Sequence, residues 1–89
     1  MFDNLKDLYN LRKEAAEMDN QLSAERVEGV SSDELIRLVI NGKHDILEIQ
    51  IADREHYEKR ELAEGFKQAF ANAQKSLQKI LVEKFKGMM

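Results

Sequence analysis

The sequence predicts one α+β domain in the order α-β-β-β-α, a three-stranded antiparallel meander flanked by two long helices. Three observations lead to this fold class. Apolar residues recur every three to four positions near both ends of the chain, the period shortens to two in the middle, and Asn-Gly separates two apolar runs there. A chain of 89 residues has room for one hydrophobic core, so residues 1–89 are expected to form a single domain.

The first helix is predicted from apolar residues at steps of three and four, which fall on one side of a helix turning roughly 100° per residue. An amphipathic helix of about 20 residues accommodates all of them. These residues are Leu5, Leu8, Leu11, Ala15, Met18 and Leu22.

Three strands are predicted to follow. The first, Ala24–Val30, is the weakest because Gly29 lowers its strand propensity. Leu35–Ile40 is apolar on both faces, which is typical of a central strand. In Ile46–Ile51 the apolar and polar residues alternate, so the side chains of Leu47, Ile49 and Ile51 are expected to face inward.

Two turns are predicted to connect these strands. Ser31-Ser32-Asp33 fits a short hairpin loop because all three side chains can hydrogen-bond to nearby backbone. Asn41-Gly42 is the stronger signal, and a tight hairpin at this dipeptide predicts a positive φ at Gly42.

The second helix is predicted to begin near Glu58, after the polar stretch Ala52–Tyr57, and to run for about 30 residues. Its length of roughly 45 Å exceeds the roughly 20 Å that strands of six or seven residues cover, so its apolar stripe predicts a homodimer. Gly65 inside this helix either permits close approach by another backbone or is a tolerated weakness. The stripe comprises Leu62, Phe66, Ala69, Phe70, Ala73, Leu77, Ile80, Leu81, Phe85 and Met88.

The composition excludes several function classes. The absence of Cys excludes disulfides, thiolate nucleophiles and cysteine metal sites. The sequence has no apolar run long enough to span a bilayer and no signal-peptide core near Met1, which predicts a cytoplasmic protein. The four Gly residues are isolated and form no phosphate-binding loop.

His44 and His56 lack partners at metal-ligand spacing, so we interpret His44 as a turn donor and His56 as solvated. We therefore predict no enzymatic activity, cofactor, metal or small-molecule substrate.

The charge is unevenly distributed. Residues 1–23, 24–53 and 54–89 carry net charges of −2, −4 and +3 within a total of −3. Lys75, Lys79 and Lys86 fall within about 40° of one another, opposite the apolar stripe, and Gln68 and Asn72 extend the same line. Such a lysine stripe can follow phosphates, although the pattern alone favours a simple solvated face. Lys84 lies within the apolar arc and is expected to snorkel or to mark fraying.

Several motifs occur in the order that is typical of a known family. Leu38–His44 resembles the I-N-G-x-H turn of the YbaB/EbfC family of bacterial nucleoid-associated DNA-binding proteins, and Ile49-Gln50-Ile51 resembles the V-E-I that follows it. Farther on, Ala69–Ala73 looks like the family's A-F-N-D-A stretch with one inserted Ala. The resemblance covers roughly residues 24–89. It departs from the family at Ser31-Ser32-Asp33, where the family's hairpin is rich in Gly.

The resemblance implies a dimeric, tweezer-like α-β-β-β-α protein that grips double-stranded DNA in the nucleoid with little sequence specificity, without a cofactor or catalysis. The alternative is a dimeric protein-interaction module or small acidic chaperone that does not bind DNA. The candidate DNA-binding residues come from the lysine geometry. They are Lys67, Lys75, Lys79 and Lys86 on the second helix, and Lys6 and Lys13 on the first.

Overall fold

The computed structural model describes residues 5–86, apart from the side chain of Phe85. Its element order confirms the predicted α-β-β-β-α arrangement. Met88 and the Phe85 side chain, both expected in the apolar stripe, lie outside the described part. The elements are α1 (Leu5–Ala24), β1 (Val27–Val30), β2 (Ile36–Ile40), β3 (Ile46–Ile51) and α2 (Lys59–Lys86).

The three strands form one antiparallel sheet in the order β1-β2-β3, as the meander predicts. The side chains of Ile36, Leu38 and Ile40 in β2 are fully buried on the face that packs against α2. The opposite face is polar, where Arg37 pairs with Glu28 at 2.5 Å. The sheet therefore has one apolar side, which positions α2.

α2 lies over β1 and β2 through small residues at steps of four. Gly65, Ala69, Ala73 and Leu77 are buried along one line of the helix. At Gly29 the two backbones touch, because a Cβ there would lie 2.0 Å from the Ala69 carbonyl oxygen. The residue that weakens β1 as a strand is therefore the one that lets α2 approach it.

The group that packs against Gly65 is a side chain, whereas the sequence suggested close approach by another backbone. A Cβ at Gly65 would lie 2.7 Å from Cγ1 of Ile36, and the other nearby atoms belong to the same side chain. The interpretation that Gly65 permits close approach by another backbone is therefore wrong, because the close neighbour is the side chain of the buried Ile36.

β3 departs from the prediction of inward-facing, buried residues. Ile49 and Ile51 lie opposite Leu38 and Ile36 in register, so they are on the α2 side of the sheet as expected. However, their exposed fractions are 49% and 43%, because α2 does not extend over β3. A register shift between Val39 and Ile40 also places Ile46, rather than Leu47, opposite Ile40.

The first hairpin loop is stabilised by hydrogen bonds of the predicted kind. Ser31 Oγ donates to Asp33 Oδ1 at 2.6 Å, and the backbone N–H of Leu35 donates to the same carboxylate at 3.0 Å. These bonds, the first above all, lower the pKa of Asp33. Because the folded-state pKa is lowered, this stabilisation is present above the ordinary Asp pKa and is lost as the pH falls through the lowered value.

The second hairpin differs from the prediction at Gly42. The positive φ of this turn belongs to His44, at 67°, and no described Gly has a positive φ. The predicted conformational reason for Gly42 is therefore wrong. Gly42 instead contacts α1: a Cβ there would lie 2.6 Å from the Leu22 carbonyl oxygen and 2.9 Å from its Cα.

α1 projects from the rest of the chain. No Cα of α1 lies within 8 Å of a Cα in another described helix or strand, and the described residues extend over 63 Å. The exposed fractions of Leu5, Tyr9 and Met18 are 84%, 68% and 50%. The predicted amphipathic helix thus exists, but within one chain its apolar face covers no core. None of the helices in residues 5–86 is apolar enough over a sufficient length to cross a membrane.

Three interactions attach the C-terminal end of α1 to the body, and we call them the α1 clasp. The N–H of Gly42 donates to the carbonyl oxygen of Leu22 at 2.7 Å. Lys43 Nζ pairs with Asp19 Oδ1 at 3.0 Å, and Lys84 pairs with Glu25, which follows α1. The hydrogen bond with Asp19 raises the pKa of Lys43. Because the folded-state pKa of Lys43 is raised, this contribution to stability is present below the ordinary Lys pKa and is lost as the pH rises through the raised value.

Candidate nucleic-acid interface

The C-terminal half of α2 carries an exposed row of lysines, which we call the lysine strip: Lys75, Lys79 and Lys86. All three side chains are exposed, and their helical positions lie within about 40° of one another. At a rise of 1.5 Å per residue, the strip is about 16 Å long. Among residues 5–86, no carboxylate forms an ion pair with any of these three ammonium groups.

The surface between these lysines is partly apolar. Gln78, Val82 and Glu83 lie among them, and Val82 is 59% exposed. The Glu83 carboxylate is a negative charge at the border of the strip. The strip is therefore a row of positive charges around an exposed apolar side chain. Such a surface suits contact with phosphates more than recognition of base edges.

The two amides predicted to extend the strip are already engaged. Gln68 Oε1 accepts from Ser32 Oγ at 2.8 Å, and Asn72 Nδ2 donates to the Val30 carbonyl oxygen at 2.8 Å. Both side chains are exposed, but they bind α2 to β1 and to the first hairpin loop. They lie on the same exposed side of α2 as the lysines, but these hydrogen bonds already use their side-chain groups.

The remaining candidates lie away from the strip. Lys67 is about 80° around α2 from Lys75, and its Nζ is 3.9 Å from Oε1 of Glu64. Lys6 and Lys13 are exposed on α1, and Lys6 is about 27 Å along that helix from Ala24. The candidate lysines of one chain therefore lie on separate surfaces rather than on one. Lys84, expected to snorkel or fray, forms an ion pair with Glu25 in the α1 clasp instead.

A group of four acidic residues lies near the opposite end of α2 from the strip. Asp33, Glu58, Glu61 and Glu64 border a shallow cleft between the first hairpin loop and the start of α2. Glu64 is about 16 Å along the helix from Lys75, which is twice the screening length of roughly 8 Å at physiological salt. Local charge at the strip is therefore positive although the chain is acidic.

His44 sits beside the strip without a catalytic partner. Its backbone N–H donates to the Asn41 carbonyl oxygen at 3.1 Å, which confirms the turn hydrogen bond, and its Nδ1 lies 3.2 Å from Nε2 of Gln74. Together with Lys75 and Leu81 it lines an open cleft of about 490 Å³. His56 is exposed as expected. No cluster of three His, Cys, Asp or Glu side chains in the described ranges could hold a metal ion.

The comparisons with known proteins bear on this surface. The model of the YbaB/EbfC DNA-binding family matches residues 1–89, which is the whole chain and extends the resemblance to the N-terminal helix. A search of the curated proteins finds no match. The order of elements, the INGKH turn and the family match agree, and the chain therefore belongs to the YbaB/EbfC DNA-binding family.

Proposed function

We propose that this protein binds double-stranded DNA in the nucleoid, and therefore in the cytoplasm, as a homodimer with little sequence specificity. The observation that carries the proposal is the exposed, unpaired lysine strip on α2 in a member of a DNA-binding family. Its three ammonium groups can each meet one phosphate. Contacts between lysine ammonium groups and phosphates carry no sequence information, so such binding depends on charge rather than on sequence.

The homodimer is supported most strongly by β3. This six-residue edge strand contains no Lys or Pro, the residues that commonly prevent edge pairing, and Ile46, Leu47, Ile49 and Ile51 are each 40–50% exposed. We propose that a second copy covers this strand. The interface then differs from the one that the length of α2 alone predicts, because Ile80 and Leu81 already pack against the core within one chain.

The dimer interface can be tested by Ile49→Asp, which places a charge in the middle of the exposed apolar row. We expect wild type to sediment at twice the chain mass at micromolar concentration and Ile49→Asp to sediment as a monomer, because a buried unpaired carboxylate is strongly unfavourable. Gln50→Asp is the matched control, since Gln50 lies opposite Arg37 on the other face of the sheet. A monomeric wild type, or equal loss of the dimer in both variants, would contradict this interface.

The DNA contact is tested by salt dependence. Six lysines in the dimer should give a slope near −5 for log affinity against log salt, by the relation of about −0.9 per neutralised phosphate. Replacing all three lysines of the strip with Gln should flatten this slope and leave the melting temperature unchanged, because their side chains are exposed. Monomeric Ile49→Asp should give a slope near −3, since three lysines remain.

The matched control removes the same charge elsewhere. Replacing Arg26, Arg37 and Arg54 with Gln also removes three positive charges, but these guanidinium groups are paired with Glu48, Glu28 and Glu61. We expect this control to keep the steep slope. If the control and the lysine variant behave alike, net charge rather than the strip controls binding. If the lysine variant binds like wild type, Lys6, Lys13 and Lys67 are the next residues to replace.

The alternative of an interaction module or acidic chaperone makes a different prediction. An apolar interface keeps or gains strength as salt rises, whereas phosphate contacts weaken. No detectable binding of generic duplex by wild type at about 50 mM salt, where phosphate contacts are strongest, would favour that alternative.

A further inference from the structure

Asn41-Gly42 has a chemical reactivity that is separate from its place in the hairpin. In an unrestrained chain, the backbone nitrogen of a Gly that follows Asn attacks the Asn side-chain carbonyl carbon, because Gly has no side chain to hinder the approach. The N–C bond forms, and the side-chain amino group leaves as ammonia with the proton of the Gly amide. Water then opens the resulting succinimide to aspartate or isoaspartate.

The fold engages both reacting groups of this dipeptide. The Gly42 N–H, which must lose its proton, donates to Leu22 of α1 at 2.7 Å. Asn41 is only 5% exposed, and its Oδ1 accepts from the backbone N–H groups of Lys43 at 2.9 Å and Asp45 at 3.0 Å. Its Nδ2 donates to Oδ2 of Asp45 at 3.2 Å. The docked α1 therefore holds the nucleophile, while the hairpin itself holds the Asn41 side chain.

We propose that Asn41 is a latent deamidation site that the docked α1 protects, and that it reacts when α1 leaves the second hairpin. The α1 clasp is the link, because one of its three interactions uses the attacking nitrogen itself. No Cα of α1 lies within 8 Å of a Cα in another described helix or strand, and Met18 and Leu22 at its C-terminal end line a small cleft with Leu81 of α2. The interactions at this end of α1 therefore control whether that nitrogen is free. The inference does not depend on what α1 or the lysine strip binds.

The product prevents α1 from docking again in the same way. Deamidation converts the Asn41 amide into a carboxylate and removes the donor that Asp45 accepts from, which places a negative charge at the buried position 41 beside the Asp45 carboxylate. Isoaspartate also adds one atom to the main chain beside Gly42, which displaces the N–H from Leu22. Deamidation is therefore a one-way release of the helix.

The first test compares the deamidation rate of the folded and unfolded chain. Wild type is incubated at fixed pH in buffer and in denaturing urea, and the peptide containing Asn41 is analysed by mass spectrometry for replacement of NH₂ by OH. We expect the folded chain to react at least about tenfold more slowly, because reaction is limited to the open population. The Asn72-Ala73 site in the same samples is an internal reference for the deamidation rate of an Asn that is not followed by Gly. Equal rates in the two states would overturn the proposal.

The second test opens the clasp without unfolding the core. Asp19→Ala with Lys84→Gln removes one partner from each ion pair, and Glu14→Ala with Lys59→Gln is the control with the same change of charge on the same two helices. We expect faster exchange of the Gly42 amide and severalfold faster deamidation in the clasp variant alone, with exchange of the buried Leu38 amide unchanged. Faster Gly42 exchange without faster deamidation would overturn the proposal.

A urea series on wild type tests the link without any variant. Below the unfolding transition, the deamidation rate of Asn41 should rise in parallel with exchange of the Gly42 amide and before exchange of the Leu38 amide. A deamidation rate that rises only with Leu38 exchange would show that global unfolding, rather than release of α1, exposes the site.

Discussion

Replacing Gly29 with Ala is expected to lower the free energy of unfolding by at least about 3 kcal/mol, the upper end of the range for overpacking in a core. The new Cβ would lie 2.0 Å from the Ala69 carbonyl oxygen and 2.4 Å from the Ala73 nitrogen. Both are backbone atoms of α2, so no rotamer change relieves the contact. Only movement of the helix away from β1 can, and that movement opens the core.

The control is Gly65→Ala, which adds the same methyl group to the same helix–sheet interface. Here the nearest atom is Cγ1 of the buried Ile36, which belongs to a side chain rather than to backbone, and Ala improves helix propensity by about 0.8–1 kcal/mol. We therefore expect urea unfolding to show a smaller cost for Gly65→Ala than for Gly29→Ala. Adding Ala73→Gly to Gly29→Ala should not restore stability, because it leaves both backbone contacts in place. Equal costs at the two glycines would contradict this account.

Replacing Gly42 with Val is expected to cost about 2–3 kcal/mol, in the range for backbone displacement combined with loss of a buried hydrogen bond. Its Cβ would meet the carbonyl oxygen, Cα and carbonyl carbon of Leu22 at 2.6, 2.9 and 3.1 Å. The end of α1 must then leave the hairpin, and the hydrogen bond between Gly42 and Leu22 breaks. Thermal unfolding gives the cost, and amide exchange at residues 19–24 shows whether α1 has been released.

Gly42→Asn separates the two explanations for this glycine. Asn tolerates positive φ better than other residues with a side chain, so a turn that needed positive φ would accept it. A residue that must leave room for α1 cannot accept Asn, because any Cβ collides with Leu22. We expect Gly42→Asn to lower the melting temperature about as much as Gly42→Ala does. A melting temperature close to that of wild type would restore the conformational explanation.

The local elements were predictable because their causes are local. Apolar spacing determined α1 and α2, and the bounds of Ile46–Ile51 agree with the strand observed. The details that were predicted wrongly depend on contacts between segments that are distant in sequence. Nothing near Gly42 in sequence shows that Leu22 lies against it, and nothing in β3 shows that α2 stops short of covering it.

The lysine strip was predictable for the same reason, because the angle around one helix follows from residue number. The engagement of Gln68 and Asn72 was not, since their partners Ser32 and Val30 are 36 and 42 residues away. The role of Lys84 also depends on a distant residue, Glu25. Sequence reasoning therefore located exposed charges correctly and could not decide which polar groups were already paired.

The isolation of α1 gives the chain two scales of stability. Helices without tertiary support are marginal in water below about 12–15 residues, and one of 20 residues, the length of α1, is only modestly populated. The turns of α1 that the clasp does not hold are therefore ordered only as far as the helix–coil equilibrium allows. Amide protection is therefore expected to decline from Leu22 toward Leu5, while β1, β2 and α2 open together at a much higher free energy. A ligand that binds the outer turns of α1 must also supply the free energy that orders them. Its affinity will then include a conformational-entropy term that contacts alone do not reveal.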